Sequence, residues 1–270
     1  MHPKQSDWDN FYGKMKKASG LDLYQYKAGQ LQRRILSMAE TKRVKSLDEF
    51  WTHISNEKDG ITWFMDRLAI NVSELYRNPE KWEEMRSKIL PELLKKKPRI
   101  RAWSAGCSIG AEAHSLATLF ANDFPGAHTI VGTDIDMEAL AQAKSGTYKD
   151  SEMRAVPPQI RTKYFDKTAD TYVANEQIKK YLTFRKGNLL ADRFDLGFDL
   201  IMCRNVVIYF TDEAKDELYA KFYRALAPGG YLFVGSTERI HNYSDIGFEN
   251  STPFFYQKPL HEEKKWQIAS

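Results

Sequence analysis

The sequence predicts an α/β protein in which a helical N-terminal part precedes a mostly parallel sheet with helices on both faces. Three observations predict it. Over residues 7–95 apolar residues recur three and four apart, as on one face of a helix. From residue 99 short apolar runs alternate with helical segments, the pattern of strand–helix–strand units and a parallel sheet. Residues 146–182 break that rhythm with Gly146, Pro157-Pro158 and mixed polar residues, which reads as an inserted subdomain.

The elements follow in order. Leu31, Ile35 and Met38 form one helical stripe, Trp63, Phe64 and Leu68 a second, and Trp82, Met85, Ile89 and Leu93 a third. Pro79 suits the first turn of the last of these helices, and Pro91 should kink or end it. Lys95-Lys-Lys-Pro98 is a short basic linker, so the helical domain with its linker spans 1–98. The sheet domain spans 99–260, and 261–270 is a tail. Ile100–Ala105 reads as a strand ending in the turn Gly106–Gly110, with helix Glu112–Asn122 behind it. Thr129–Thr133 is a second strand, ending at Asp134-Ile-Asp136 before helix Glu138–Lys144. Phe198–Cys203 is a buried strand, followed by helix Asp212–Leu226. Pro228-Gly-Gly230 is a tight turn into strand Tyr231–Gly235, and Phe254–Gln257 closes the sheet.

Bulk composition sets bounds. With 270 residues, 42% hydrophobic and 28% charged, the chain has room for one large or two modest cores and is not disordered. Its apolar runs are too short to cross a bilayer, and Met1–Ser6 lacks the apolar core of a secretory signal. Cys107 and Cys203 each lie beside a strand-like run and read as buried reduced thiols. The expectation is a soluble cytoplasmic protein. The net charge of +4 is uneven: residues 1–98 hold 19 Lys+Arg against 14 Asp+Glu, the rest 21 against 22. Lys27, Arg33, Arg34, Lys42, Arg43 and Lys45 cluster around the helix carrying Leu31, Ile35 and Met38. This is either a contact surface for an acidic partner or a solvated basic face.

In a doubly wound sheet, ligands bind beyond the carboxyl ends of the strands. Gly106 and Gly110 lie in the first strand–helix turn, where missing side chains would let a ligand approach the backbone. Their spacing is G-x-x-x-G rather than the G-x-G-x-x-G of dinucleotide binders. Asp134 ends the second strand, where a carboxylate can accept hydrogen bonds from ribose hydroxyls. Together they favour an adenosine-bearing cofactor. Arg185–Leu190 could hold the adenine, and Arg204-Asn205 puts polar groups at the sheet's ligand edge unless Asn205 merely forms a turn.

Asn71–Arg77, Trp103–Ser108, Thr133–Asp136, Gly187–Leu190, Cys203–Phe210 and Gly235–Glu238 occur in this order. The chain thereby resembles the chemotaxis-receptor glutamate O-methyltransferase family, over about residues 8–258. The resemblance implies a small all-helical N-terminal domain on a Rossmann-like, S-adenosylmethionine-dependent methyltransferase sheet with an inserted β-subdomain. It implies that Asn71, Ser73 and Arg77 reach over the cofactor, that Glu112 meets the methionine amino group and that Asp134 meets the ribose. Asn188, Leu189, Asn205 and Val206 would line the adenosine and methionyl parts. Tyr209 would stand near the transferred methyl, and Arg77 near the receiving carboxylate. S-adenosylhomocysteine would be the product, and the partner would be the glutamate-rich coiled coil of a receptor, docked at Arg33 and Arg34. Nothing in the sequence requires more than a monomer.

One stretch departs from the family. Where the family has Ser-Thr-Gly-Glu-Glu-Pro-Tyr-Ser, this chain has Ser108-Ile-Gly-Ala-Glu-Ala-His-Ser115, and Glu112 is the acidic residue that survives. His114 has no second histidine at ligand spacing, so it reads as a helix residue and no metal is expected. A glutamate acceptor, with an ordinary pKa of about 4.3, needs no general base, which accounts for the absence of a Ser–His or Cys–His constellation. The rival readings are a methyltransferase for nucleic acid or a small molecule, a nicotinamide oxidoreductase and a non-catalytic relative. The first two are disfavoured by the Arg204-Asn-Val-Val segment and the glycine spacing.

Overall fold

The computed structural model describes residues 1–68 and 73–260. Helices α1 (Gln5–Ser19), α2 (Ala28–Thr41), α3 (Leu47–Asn56) and α4 (Gly60–Leu68) build the N-terminal domain. Their apolar stripes meet in one core containing Phe11, Met15, Leu31, Ile35, Phe50, Ile54 and Phe64. Ser46 caps α3 by accepting the Glu49 amide at 3.1 Å.

Helices α5 (Pro79–Glu84) and α6 (Leu90–Lys96) follow, separated by a π-turn over Met85–Ile89. The sequence leads one to expect a kink or a stop at Pro91. The chain instead widens by one residue, with the Leu90 amide donating to the Met85 carbonyl, and the helix runs on past the proline. Trp82, Met85, Ile89 and Leu93 bury against the sheet rather than against the first four helices. Leu68 thus packs with the first four helices, whereas residues from Leu75 onward join the core of the sheet.

Seven strands among the described residues form the main sheet: β1 (Arg101–Ala105), β2 (Thr129–Asp134), β6 (Leu182–Lys186), β7 (Phe198–Cys203), β8 (Leu226–Val234), β9 (Glu249–Thr252) and β10 (Phe255–Gln257). Their order is β6-β2-β1-β7-β8-β10-β9, parallel up to β8 and antiparallel at β10 and β9. Side chains alternate between faces with the strand period of two. Ala102, Leu200, Met202 and Phe233 face α7 (Ala111–Asn122), while Trp103, Ile201, Cys203 and Leu232 join Leu218 and Phe222 of α11 (Asp212–Ala225). Helix α8 (Met137–Ser145) follows β2, and the short α12 (Tyr243–Ile246) precedes β9. Pro228-Gly-Gly230 does not end a strand. It forms an irregularity within β8, where the register against β7 shifts between Phe198 and Leu200 and Gly229 takes φ +76°.

The insert consists of β3 (Thr147–Lys149), α9 (Pro158–Tyr164), β4 (Phe165–Thr168), β5 (Thr171–Ala174) and α10 (Glu176–Lys179). Its strands form a three-stranded antiparallel sheet in the order β3-β5-β4. Tyr148, Tyr164, Phe165 and Ala174 bury in the same core as α7, so the insert is anchored to the main domain. Both cysteines are buried and reduced, and no helix among the described residues is long and apolar enough to cross a membrane.

Candidate active site

The chain leaves β1 toward β2 and β6 on one side and returns to β7 and β8 on the other. The strand order thus reverses between β1 and β7, and a crevice opens beyond their carboxyl ends. There lies a cavity of about 190 Å³, roofed by the N-terminal domain. Ser73, Arg77, Glu112, Asp134, Asn188, Leu189, Asn205, Val206 and Tyr209 all line it, so the structure gathers every described residue expected to bind cofactor or act in catalysis. Asn71 lies outside the described residues.

The two glycines of the first turn also make room for neighbouring elements, and Gly106 lines the cavity. Gly106 takes φ +74°, and a Cβ there would stand 2.6 Å from the Val206 Cγ2. Gly110 takes φ +77°, and its Cβ would meet that of Ala143 at 2.8 Å. Their missing side chains let Val206 and α8 approach, which brings the β1 and β7 ends together.

Asp134 projects from the end of β2. Its Oδ2 accepts the Ser108 amide at 2.7 Å and its Oδ1 the Asp136 amide at 3.0 Å. Burial still pushes its carboxyl above the ordinary value, with those amides working against the shift. A carboxylate offers about four acceptor positions, so capacity for sugar hydroxyls remains. Glu112, in the first turn of α7, accepts from the Ser104 hydroxyl at 2.9 Å and faces the Arg204 guanidinium at 3.8 Å. Burial raises its pKa too, with Arg204 opposing. An incoming ammonium would relieve that desolvated charge. Leu189 and Val206 add apolar wall, and the Asn188 side chain is held by accepting the Leu190 amide at 3.0 Å. These groups fit S-adenosylmethionine: acceptors for hydroxyls, an under-compensated carboxylate for an amine, and apolar surface for a base.

Arg77 sits between two residues in the left-handed region, Tyr76 at φ 57° and Asn78 at φ 60°. Such strain persists only where surroundings enforce it. The Tyr76 amide donates to Ser115 Oγ at 2.9 Å, and the Tyr76 hydroxyl meets Thr118 Oγ1 at 2.5 Å. The Arg77 carbonyl accepts from Trp82 Nε1 at 3.1 Å and from Arg204 at 3.2 Å. Arg204 also donates to Asn78 Oδ1 at 2.7 Å and stacks over Phe233 at 4.6 Å. This buried arginine, which the sequence marked only as a polar strand end, braces the Arg77 loop.

Tyr209 lies in a 3-10 turn, Val207–Tyr209, and the N-terminal domain grips it from outside. Its carbonyl accepts the Lys27 amide at 2.9 Å, the Thr211 amide donates to the Gln25 carbonyl at 2.9 Å, and Tyr26 packs edge-on against Phe210. Burial raises the Tyr209 pKa, with the Arg34 and Arg77 charges opposing the shift.

The basic helix α2 carries Arg33 and Arg34, both expected at the docking surface, in two different settings. Arg33 is exposed on the outer face, whereas Arg34 lines the cavity and donates to the Arg67 carbonyl at 2.6 Å. A step of one residue turns a helix by about 100°, so neighbours cannot share a face. The His114 ring is buried, meets the Tyr148 hydroxyl at 2.7 Å and stacks on Phe184, and burial lowers its pKa to about 4. No cluster suited to a metal occurs among the described residues.

Residues 6–69 match the family model described as CheR methyltransferase, all-alpha domain, and residues 71–254 match that described as CheR methyltransferase, SAM binding domain. A Listeria monocytogenes protein named chemotaxis protein methyltransferase is 38% identical over 256 residues, covering 94% of this chain and 98% of that one. The chemotaxis protein methyltransferase 1 of Pseudomonas aeruginosa is 32% identical over 259 residues, covering 91% and 94%.

Proposed function

This chain belongs to the CheR methyltransferase family, enzymes that use S-adenosylmethionine, and we propose that it methylates glutamate side chains of chemotaxis receptors, giving glutamyl methyl esters and S-adenosylhomocysteine. The observation that carries this reading is the division of charge in the cavity. Asp134 and Glu112 line the end formed by β2 and α7, whereas Arg34, from the N-terminal domain, and Arg77 line the cavity along with Tyr209. The acidic end suits a cationic, hydroxyl-bearing cofactor, and the basic end suits an anionic acceptor.

When bound, the cofactor supplies a methyl group on a sulfonium, which departs as a neutral thioether. A glutamate acceptor is already ionised at neutral pH, so the site needs no base, and no histidine is among the described residues lining the cavity. The Arg77 fork holds the carboxylate in one orientation, and the Tyr209 hydroxyl donates to it or to its neighbour across the reacting line. Leu21, Tyr26, Leu31, Met65 and Leu68 of the N-terminal domain exclude water from above. Arg33 and the other basic side chains around α2 attract the glutamate-rich receptor coiled coil, and the enzyme works as a cytoplasmic monomer.

The test is transfer of labelled methyl from S-adenosylmethionine to receptor-containing membranes. Base-labile label on receptor protein is the expected result. Cofactor binding without transfer would point to a non-catalytic signalling relative, and base-stable label would rule out a carboxyl ester.

A further inference from the structure

We propose that Glu238 is a positioning residue for methyl transfer, a buried clamp that fixes the Asn205–Tyr209 wall of the cofactor cavity. Glu238 is 4% exposed. Its Oε2 accepts the amides of Asn205 and Gly235, each at 2.7 Å, and its Oε1 accepts the Val207 amide at 3.1 Å. The ends of β7 and β8 are thus tied to one carboxylate.

The three bonds define an unusual backbone course. Asn205 takes φ 61°, a left-handed conformation that costs energy in a non-glycine residue. That twist sends Val206 toward Gly106, into the space a Cβ would fill, and starts the turn that presents Tyr209. Without the clamp, Asn205 has every reason to relax, and the cavity wall goes with it.

Gly235 shows that the seat is built for this group. A Cβ at Gly235 would stand 2.3 Å from Glu238 Oε2 and 3.1 Å from the Asn205 nitrogen. Gly235 is not in the left-handed region, so its backbone does not demand glycine; the carboxylate does. A carboxylate is also the one side chain that satisfies all three donors. Glutamine offers a single carbonyl oxygen and an amide nitrogen, and that nitrogen must face at least one backbone N–H. The charge acts further, because Glu238 supports the cationic form of Arg204, which braces the Arg77 loop on the opposite wall.

The experiment uses the full chain and calorimetric titration with S-adenosylhomocysteine, which is independent of the acceptor and so separates this proposal from the receptor reading. Asp199 is the matched control. It too is buried and accepts two donors, the Arg101 amide at 2.9 Å and Lys97 at 2.7 Å, but at the opposite end of the sheet. Glu238→Gln should weaken binding about tenfold or more, as for the loss of one charge-assisted bond, while Asp199→Asn leaves affinity unchanged even if it lowers the thermal midpoint as far. Unchanged affinity in folded Glu238→Gln would overturn the clamp, and so would an equal loss in Asp199→Asn. If Glu238→Gln does not fold, Gly235→Ala, which crowds the carboxylate off its seat, is read by the same two outcomes.

Discussion

Removing the Asp134 carboxylate is the most direct perturbation of the cofactor site. Asp134→Ala deletes an acceptor at the end of β2 that lines the cavity. A hydrogen bond to a charged partner contributes about 1.5–3 kcal/mol, and about 1.4 kcal/mol is tenfold in affinity. The dissociation constant for S-adenosylhomocysteine should therefore rise roughly 10- to 150-fold. The upper half of that range is the better expectation, because the Ser108 and Asp136 amides also lose their acceptor and the turn that flanks the cavity loosens. Stability should change less than affinity. Burial raises the Asp134 pKa, so ionisation opposes folding above the unfolded carboxyl's pKa, a cost relieved as pH falls through the raised value. Alanine loses two amide bonds and that cost together. The assay is calorimetric titration at neutral pH, with a thermal melt as control. A dissociation constant equal to that of the wild type, in a folded variant, would refute the placement of the ribose at Asp134.

Three further outcomes follow from the same geometry. Arg77→Ala should lower turnover by on the order of a hundredfold, as for lost alignment, while Arg77→Lys rescues poorly because it lacks the fork; a parallel fall in cofactor affinity would make Arg77 a cofactor clamp instead. Arg33→Glu should reduce receptor methylation at low salt and converge with the wild type at high salt, whereas Arg34→Glu should remain impaired at both, since it lines the cavity; equal rates for wild type and Arg33→Glu at low salt would remove the docking role. For Glu112, burial raises the pKa in the free protein and a bound ammonium favours the ionised form. Affinity for S-adenosylmethionine should thus strengthen as pH rises through that raised value, and Glu112→Gln should flatten this part of the profile; an unaltered profile would exclude the contact.

The sheet was legible because its signals are local. Phe198–Cys203 is six buried residues in a row, apolar except for Asp199 at its start, the near-continuous apolar pattern of a strand buried on both faces. Helices α7, α8 and α11 announce themselves by their spacing, and their bounds fall within a residue or so of expectation. What escaped was what long-range packing decides. The π-turn before Pro91 depends on α5 and α6 both lying against the sheet, which Trp82 and Leu93 alone do not state. Strand β9 is exposed and polar, Glu249-Asn-Ser-Thr252, so it carries no hydrophobic alternation and exists as a strand only because β10 pairs with it.

The site divides in the same way, and the division explains which residues a single sequence can assign. Asp134 follows from position, a carboxylate at a strand end facing the crevice, whereas Glu112 came only with the family resemblance. Arg204 and Glu238 do not follow, because neither reaches the ligand through its own element. Each acts on backbone contributed from far along the chain, Arg204 on the Arg77 carbonyl and Glu238 on the Asn205 and Val207 amides. The same holds for Arg34, whose place in the cavity is set by how the N-terminal domain docks: the Lys27 amide on the Tyr209 carbonyl, and Asp66 on the Met137 amide at 3.1 Å. Those two contacts join α2 and α4 to the 3-10 turn and to α8. A receptor helix seated on the outer face of α2 would therefore press on an element whose N-cap amide, that of Lys27, already holds the segment that presents Tyr209.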